Sequence, residues 1–138
     1  MIKNPIVSVL TTVYNREKYL GACIESVLAS DFQDWEMIIV DDQSKDDSLL
    51  IAKEYSTKDK RIKVYVNVHN LGDYTNRNQA AKYANGKYVK YLDADDLIYP
   101  HGLSIMVHTM EEYSECVLGI SQEVAEDDKP YPFVMQPK

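Results

Sequence analysis

Asp93-Ala94-Asp95-Asp96 places three carboxylates within four residues, directly after an apolar, β-rich run. Two unit charges about 4 Å apart repel by roughly 4 kcal/mol at an effective dielectric of 20. A divalent cation held among Asp93, Asp95 and Asp96 removes that repulsion and supplies the positive charge a diphosphate needs. Carboxylate and phosphate oxygens are hard donors, which suits Mn²⁺ or Mg²⁺. The plainer reading is a solvated acidic turn that caps the next helix. A D-x-D triplet alone does not separate the two.

Three further features pose the same choice. Tyr14, after Thr11-Thr12-Val13, offers a flat ring to a base or simply packs. Asp41-Asp42 offers carboxylates to a base N–H or serves a turn. Arg77, within Asn76-Arg77-Asn78, offers charge to a phosphate or a contact to a base, or is an exposed helix arginine.

The elements that must position these residues follow from the hydrophobic pattern. Val7 to Leu10, Trp35 to Val40, Ile62 to Val66 and Tyr88 to Leu92 read as strands. Between Arg16 and Ala29, Leu20, Cys23, Ile24, Val27 and Leu28 share one helical face, with Asn15 as the expected cap. Ser44-Lys-Asp-Asp47 has capping-box form, so a helix is expected from about Asp46 to Tyr55. Another helix is expected from Asn76 to Ala84, stopped by Asn85-Gly86. Pro100 suits the first turn of a further helix, in which Leu103, Met106, Val107 and Met110 share a face. A last strand is expected over about 116–120, before an acidic run and a tail that holds Pro130, Pro132 and Pro137.

Strand and helix alternate, which predicts an α/β domain with a mainly parallel sheet flanked by helices on both faces. Ligands of such sheets bind at the carboxyl ends of strands. Thr12 to Arg16, Asp41-Asp42 and Asp93 to Asp96 all fall there and can converge on one crevice.

Bulk properties narrow the partners. A net charge of −7 over 138 residues leaves no basic stripe for nucleic acid, so none is expected. Cys23 and Cys116 stand alone among apolar neighbours and read as small buried hydrophobes, which suits a reducing, cytoplasmic setting. His69, His101 and His108 show no zinc-ligand spacing. No apolar run approaches the roughly 18 to 20 residues that span a bilayer, and the start lacks a signal-peptide pattern. Membrane association is expected only through regions outside this chain, as a peripheral contact at the inner face.

Order and spacing together say more than any cluster does singly. Val7-Ser-Val-Leu-Thr-Thr-Val-Tyr-Asn15, Ser26-Val27-Leu28, Ile38-Ile-Val-Asp-Asp-Gln-Ser44 and Asp47 occur in sequence. Asn70-Leu-Gly72, Arg77-Asn78, Ala84-Asn-Gly-Lys-Tyr-Val89 and Asp93-Ala-Asp-Asp96 follow. This series resembles the inverting family 2 glycosyltransferases of GT-A (nucleotide-diphospho-sugar transferase, Rossmann-like) fold, from about Ile6 to Leu103.

The resemblance implies a nucleotide-diphospho-sugar donor, with UDP as its nucleotide, and a sugar or lipid-linked acceptor. Thr12 and Tyr14 match positions that frame and stack on uracil. Asp42, with Asp41 as its alternative, matches the carboxylate that binds the base. Arg77 matches a basic position that supports base or phosphate. Asp93 matches the ribose- and metal-side carboxylate, Asp95 the direct metal ligand, and Asp96 a helper. Val13 and Thr12 depart from the Pro-Thr usual before the tyrosine. The resemblance also implies a truncated chain: residues 1–122 form the nucleotide-sugar-binding subdomain, and 123–138 a tail leading to a missing acceptor region. The general base is expected beyond residue 138. Glu126-Asp127-Asp128 reads as a solvated loop, so the chain alone is expected to transfer no sugar.

Two other α/β readings fit less well. A phosphoacceptor receiver domain needs an acidic pair after the first strand and an Asp after the third, whereas here stand Thr12 to Asn15 and Val64 to His69. A nucleotidyltransferase usually adds a Gly/Arg/Lys-rich phosphate loop, which is absent. A non-catalytic module of the same fold is the remaining alternative.

Overall fold

The structure is a computed structural model and describes residues 4–117. Along β1 (Val7–Val13) every residue but Thr12 is buried, and β2 (Trp35–Asp41) is buried throughout. Strands covered on both faces belong at the centre of a parallel sheet. With β3 (Ile62–Val66) and β4 (Tyr88–Tyr91) they form a fully parallel sheet in the order β3-β2-β1-β4.

Helices cover both faces, as expected. Leu20, Cys23, Ile24 and Val27 of α1 (Glu17–Leu28), Ala52 of α2 (Ser48–Lys58) and Leu103 of α4 (Gly102–Glu112) join Val7, Val9, Met37 and Ile39 in one core. On the other face, Ala80 of α3 (Asp73–Ala81) packs with Leu10, Ile38 and Val40. The chain therefore runs outward from β1 to β3, crosses the sheet, and returns to the far side of β1 as β4. The strand order reverses between β1 and β4, and ligands of open α/β sheets bind at such a switch point.

Several boundaries differ from expectation. β1 continues to Val13 because Thr11 and Thr12 pair in register with Ile39 and Val40, as β-branched residues do readily. Asn15 does not cap α1. It adopts φ 53°, Arg16 takes the cap position, and Asn15 Oδ1 accepts the Lys45 N–H at 2.8 Å. The capping box does not form either: Ser44 Oγ accepts the Asn15 N–H, and α2 begins at Ser48 with Asp46 accepting the Ser48 N–H. α3 starts three residues earlier than expected, because Gly72 at φ 78° turns the chain into it. Cys116 and Val117 are not strand. The rest of that expected strand, the acidic run Glu126-Asp127-Asp128 and the proline-containing tail lie outside the described residues.

At the opposite end of the sheet, buried Glu36 accepts Ser8 Oγ at 2.7 Å, Lys63 Nζ at 2.6 Å and the Asn85 N–H at 2.8 Å. A Cβ at Gly86 would lie 2.5 Å from the Ser8 N. This close approach fixes where β4 enters the sheet. It thereby sets the pairing of Leu10 with Tyr91 and the height of Asp93 beside the end of β1.

Candidate functional site

Four loops meet at the carboxyl edge of the sheet, and each is tied to a neighbour. Asp42, just past β2, donates its N–H to the Val13 carbonyl at 2.8 Å, next to Tyr14. Its buried carboxylate takes three donors: Asn67 Nδ2 at 2.7 Å and the Leu71 N–H at 2.8 Å on Oδ1, and the Gly72 N–H at 2.9 Å on Oδ2. Buried Asn76 of α3 joins this cage, accepting Asn67 Nδ2 at 3.0 Å and donating to the Val40 carbonyl. Asp42 thus folds the loop after β3 against the end of β2.

Asp41 faces elsewhere. It is buried beside Val13, its Oδ2 accepts the Ser44 N–H at 3.0 Å, and its Oδ1 has no protein partner. The β1–α1 and β2–α2 loops then interlock. The Arg16 and Glu17 N–H groups at the start of α1 donate to Ser48 Oγ at 2.8 Å and Asp46 Oδ2 at 3.0 Å. These contacts satisfy helix-end donors that have no partner within the helix.

The acidic turn after β4 is held by two arginines. Arg77 Nη2 pairs with Asp93 Oδ1 at 2.8 Å while its Nε donates to Asp73 Oδ1 at 2.9 Å, and its guanidinium lies 5.9 Å from the Tyr91 ring centre. Burial disfavours the charged guanidinium, but the Asp73 and Asp93 carboxylates outweigh it and raise the Arg77 pKa. Arg16 Nε donates to Asp95 Oδ2 at 3.2 Å, across the switch point. Underneath, Cys23 Sγ donates to the Asp93 carbonyl at 3.5 Å. Burial chiefly, with Asp96, Asp95 and Asp93 nearby, pushes the Cys23 thiol up to about 12.

Thr12 is half-buried and Tyr14 exposed at the end of β1, and Asp95 and Asp96 are exposed after β4. The expected site residues therefore share one edge, with direct links from Asp42 through Val13 and Tyr14 to Arg16 and Asp95. The carboxylates do not form a cage of their own. Among the described residues no three His, Cys, Asp or Glu side chains converge as a metal centre. Two of the three acidic side chains meet arginine instead, so the repulsion expected between them is relieved within the protein. Arg16, which sequence reasoning placed in the cluster after the first strand but gave no role, is the residue that meets Asp95. Its signal was a cation in the turn after β1 of an acidic chain.

The fold, a parallel α/β sheet flanked by helices, is that of the GT-A glycosyltransferases it superposes on, and its polar loops gather at the switch point, where open α/β sheets bind ligands. The chain belongs to the family described as Glycosyl transferase family 2, which matches residues 8–137. It is 35% identical over 105 residues to UDP-Glc:alpha-D-GlcNAc-diphosphoundecaprenol beta-1,3-glucosyltransferase WfgD of Escherichia coli, covering 76% of this chain and 41% of WfgD. It matches the crystal structure of S. aureus TarS 1-349 in complex with UDP-GlcNAc at a TM-score of 0.75 and 29% identity, covering 88% of this chain and 38% of TarS. The mannosyltransferase PcManGT from Pyrobaculum calidifontis, in complex with GDP-Man and Mn²⁺, shares the fold at a TM-score of 0.72 and 20% identity, covering 79% of this chain and 33% of that one. The chain matches between 17% and 41% of the length of its curated relatives.

Proposed function

We propose that this chain is the donor-binding portion of a metal-dependent, inverting glycosyltransferase that takes a UDP-sugar and delivers the sugar to an acceptor hydroxyl. The observation that carries the proposal is the set of contacts at one switch point that ties Asp42 to Val13 beside Tyr14, Arg16 to Asp95, and Arg77 to Asp93. The names of WfgD and of the TarS complex support UDP as the nucleotide. The name of WfgD, with its GlcNAc-diphosphoundecaprenol, also supports a lipid-linked acceptor; we place the protein in the cytoplasm, peripheral at the inner face of the membrane.

In this reading Tyr14 and Thr12 hold the base, and Asp42 uses the remaining acceptor capacity of Oδ2 for a base N–H. Asp41, turned toward the β2–α2 loop, supports that loop. Arg77 holds Asp93 toward the ribose. The acidic turn fits Mn²⁺ or Mg²⁺, because these ions take one or two carboxylates together with substrate phosphates. Asp95, exposed and with one oxygen engaged by Arg16, offers such a carboxylate; Asp93 and Asp96 stand beside it. When bound, the cation would neutralise the leaving diphosphate. We assign no general base to the described residues and expect donor binding without transfer from this chain alone.

Calorimetric titration with UDP, GDP and CDP, each with and without Mn²⁺, tests the proposal. UDP with Mn²⁺ is expected to bind tightest, and Asp95→Ala to remove the Mn²⁺ dependence. UDP binding that ignores both Mn²⁺ and Asp95→Ala would favour a non-catalytic nucleotide-binding module. Sugar transfer by this chain would refute its assignment as a donor-binding portion only.

A further inference from the structure

We propose that Arg16 is the internal counter-cation of Asp95, displaced when a divalent cation binds, and that the released guanidinium then serves the donor's diphosphate. The inference rests on the donor-site reading above and adds a residue and a coupling to it. Asn15, in its left-handed conformation, bends the chain after β1 and is held by the Lys45 N–H and Ser44 Oγ at 2.8 and 3.0 Å. The Arg16 N–H is fixed on Ser48 Oγ at 2.8 Å, while its side chain is 44% exposed. From this anchored backbone Nη1 reaches the carbonyls of Tyr14 at 3.4 Å and Asn15 at 3.2 Å, and Nε reaches Asp95 Oδ2 at 3.2 Å. The carbonyl contacts do not depend on Asp95. They keep the guanidinium at the strand end after the carboxylate leaves it.

A cation at Asp95 and a guanidinium on the same carboxylate repel each other. Because both partners of this ion pair are 44% exposed, solvent screens it and the pair is weak enough to exchange. A diphosphate offers guanidinium a stronger, bidentate acceptor than a single carboxylate oxygen. The cation alone must therefore break a contact, whereas cation and nucleotide together replace it. Their binding is positively coupled. Arg77 is not exchangeable in this way, since Asp73 holds it besides Asp93 and Tyr91 lies beside it.

The test is titration of the 138-residue chain with Mn²⁺ alone, read by the electron paramagnetic resonance of free Mn²⁺, then with UDP at saturating Mn²⁺. Arg16→Gln and Arg16→Ala are expected to tighten Mn²⁺ alone by roughly three- to tenfold, as removal of a nearby like charge should. The same variants should weaken UDP in the presence of Mn²⁺ by about tenfold, the loss of one charge-assisted contact. Asp95→Asn should weaken Mn²⁺, and thermal melts confirm that each variant is folded. Arg16 variants that bind Mn²⁺ no tighter than wild type, while wild type binds UDP with Mn²⁺, would overturn the exchange and leave the donor site standing. Wild type that binds neither, or Asp95→Asn that binds Mn²⁺ like wild type, would overturn the cation site and the exchange with it.

Discussion

The carboxylate of Asp42 accepts the backbone N–H of Gly72 at 2.9 Å, so the loop after β3 is fastened to the end of β2 at the point where α3 begins. Through this contact a side chain at the carboxyl edge of the sheet also sets the start of the helix that carries Arg77. In the proposed function, binding and folding share this one residue.

Asp42→Ala leaves the Asn67 amide and the Leu71 and Gly72 N–H groups without their acceptor. Asn67 is buried, Leu71 half-buried and Gly72 exposed, and a buried donor stripped of its partner costs about 1–3 kcal/mol, so the variant should lose roughly 1–3 kcal/mol in urea unfolding. Gly72→Ala has open space for its Cβ, but φ 78° and ψ 167° lie in a region reserved for glycine. It should lose about 1–3 kcal/mol from backbone strain alone.

Gly86→Ala fails for a different reason. Its Cβ would meet backbone as well as the Ser8 hydroxyl, at 2.5 Å from Ser8 N, 2.8 Å from Ser8 Oγ and 2.8 Å from the Val7 carbonyl carbon. Displacing β4 from β1 should cost about 1–3 kcal/mol or more. Denaturant midpoints for Gly86→Ala and, as a control, Gly21→Ala measure the difference.

Glu36 predicts a pH dependence. Burial raises its pKa, but hydrogen bonds from Lys63, Ser8 and the Asn85 N–H outweigh burial and hold it below the ordinary 4.5. The folded protein therefore releases this proton more readily than the unfolded chain. The associated stability is present above about pH 4.5 and is lost as pH falls through the folded value. Replacing Glu36 with Gln should flatten the acid limb of a stability–pH profile. An unchanged limb would place the acid sensitivity in other carboxylates, such as Asp59 and Asp46, which are also held low.

Cys23 should be inert toward thiol reagents in the folded protein. With its pKa pushed up to about 12, it carries almost no thiolate at pH 8. Cys116 is half-buried and should react. A disulfide reagent is expected to count one thiol in native protein and two after denaturation. Two thiols at native rates would mean that the floor beneath the acidic turn opens readily.

The parallel sheet and its helices were legible because apolar runs of strand length alternate with 3.6-residue periodicity, and tertiary packing reinforced that local pattern. Boundaries failed where a loop partner overrode local capping. Ser44 looked like a helix cap but accepts a bond from Asn15, and Asn15 looked like a cap but turns left-handed to meet Lys45. The positions of Thr12, Tyr14, Asp41, Asp42, Arg77 and Asp93 to Asp96 at strand ends or beside them were also legible. The pairing of Asp95 with Arg16 was not, because it spans 79 residues and no spacing rule links a turn after the first strand to one after the fourth. The opposite facing of Asp41 and Asp42 likewise needed the β2 register.

The central claim is that four strand-end loops form one nucleotide-diphosphate site. Amide chemical-shift mapping of the isotope-labelled chain during titration with UDP and Mg²⁺ tests it most directly. Tyr14, Asp42, Arg77 and Asp93 to Asp96 are expected to shift together with one saturation curve. Shifts confined to another surface, or none at millimolar UDP and Mg²⁺, would contradict the claim.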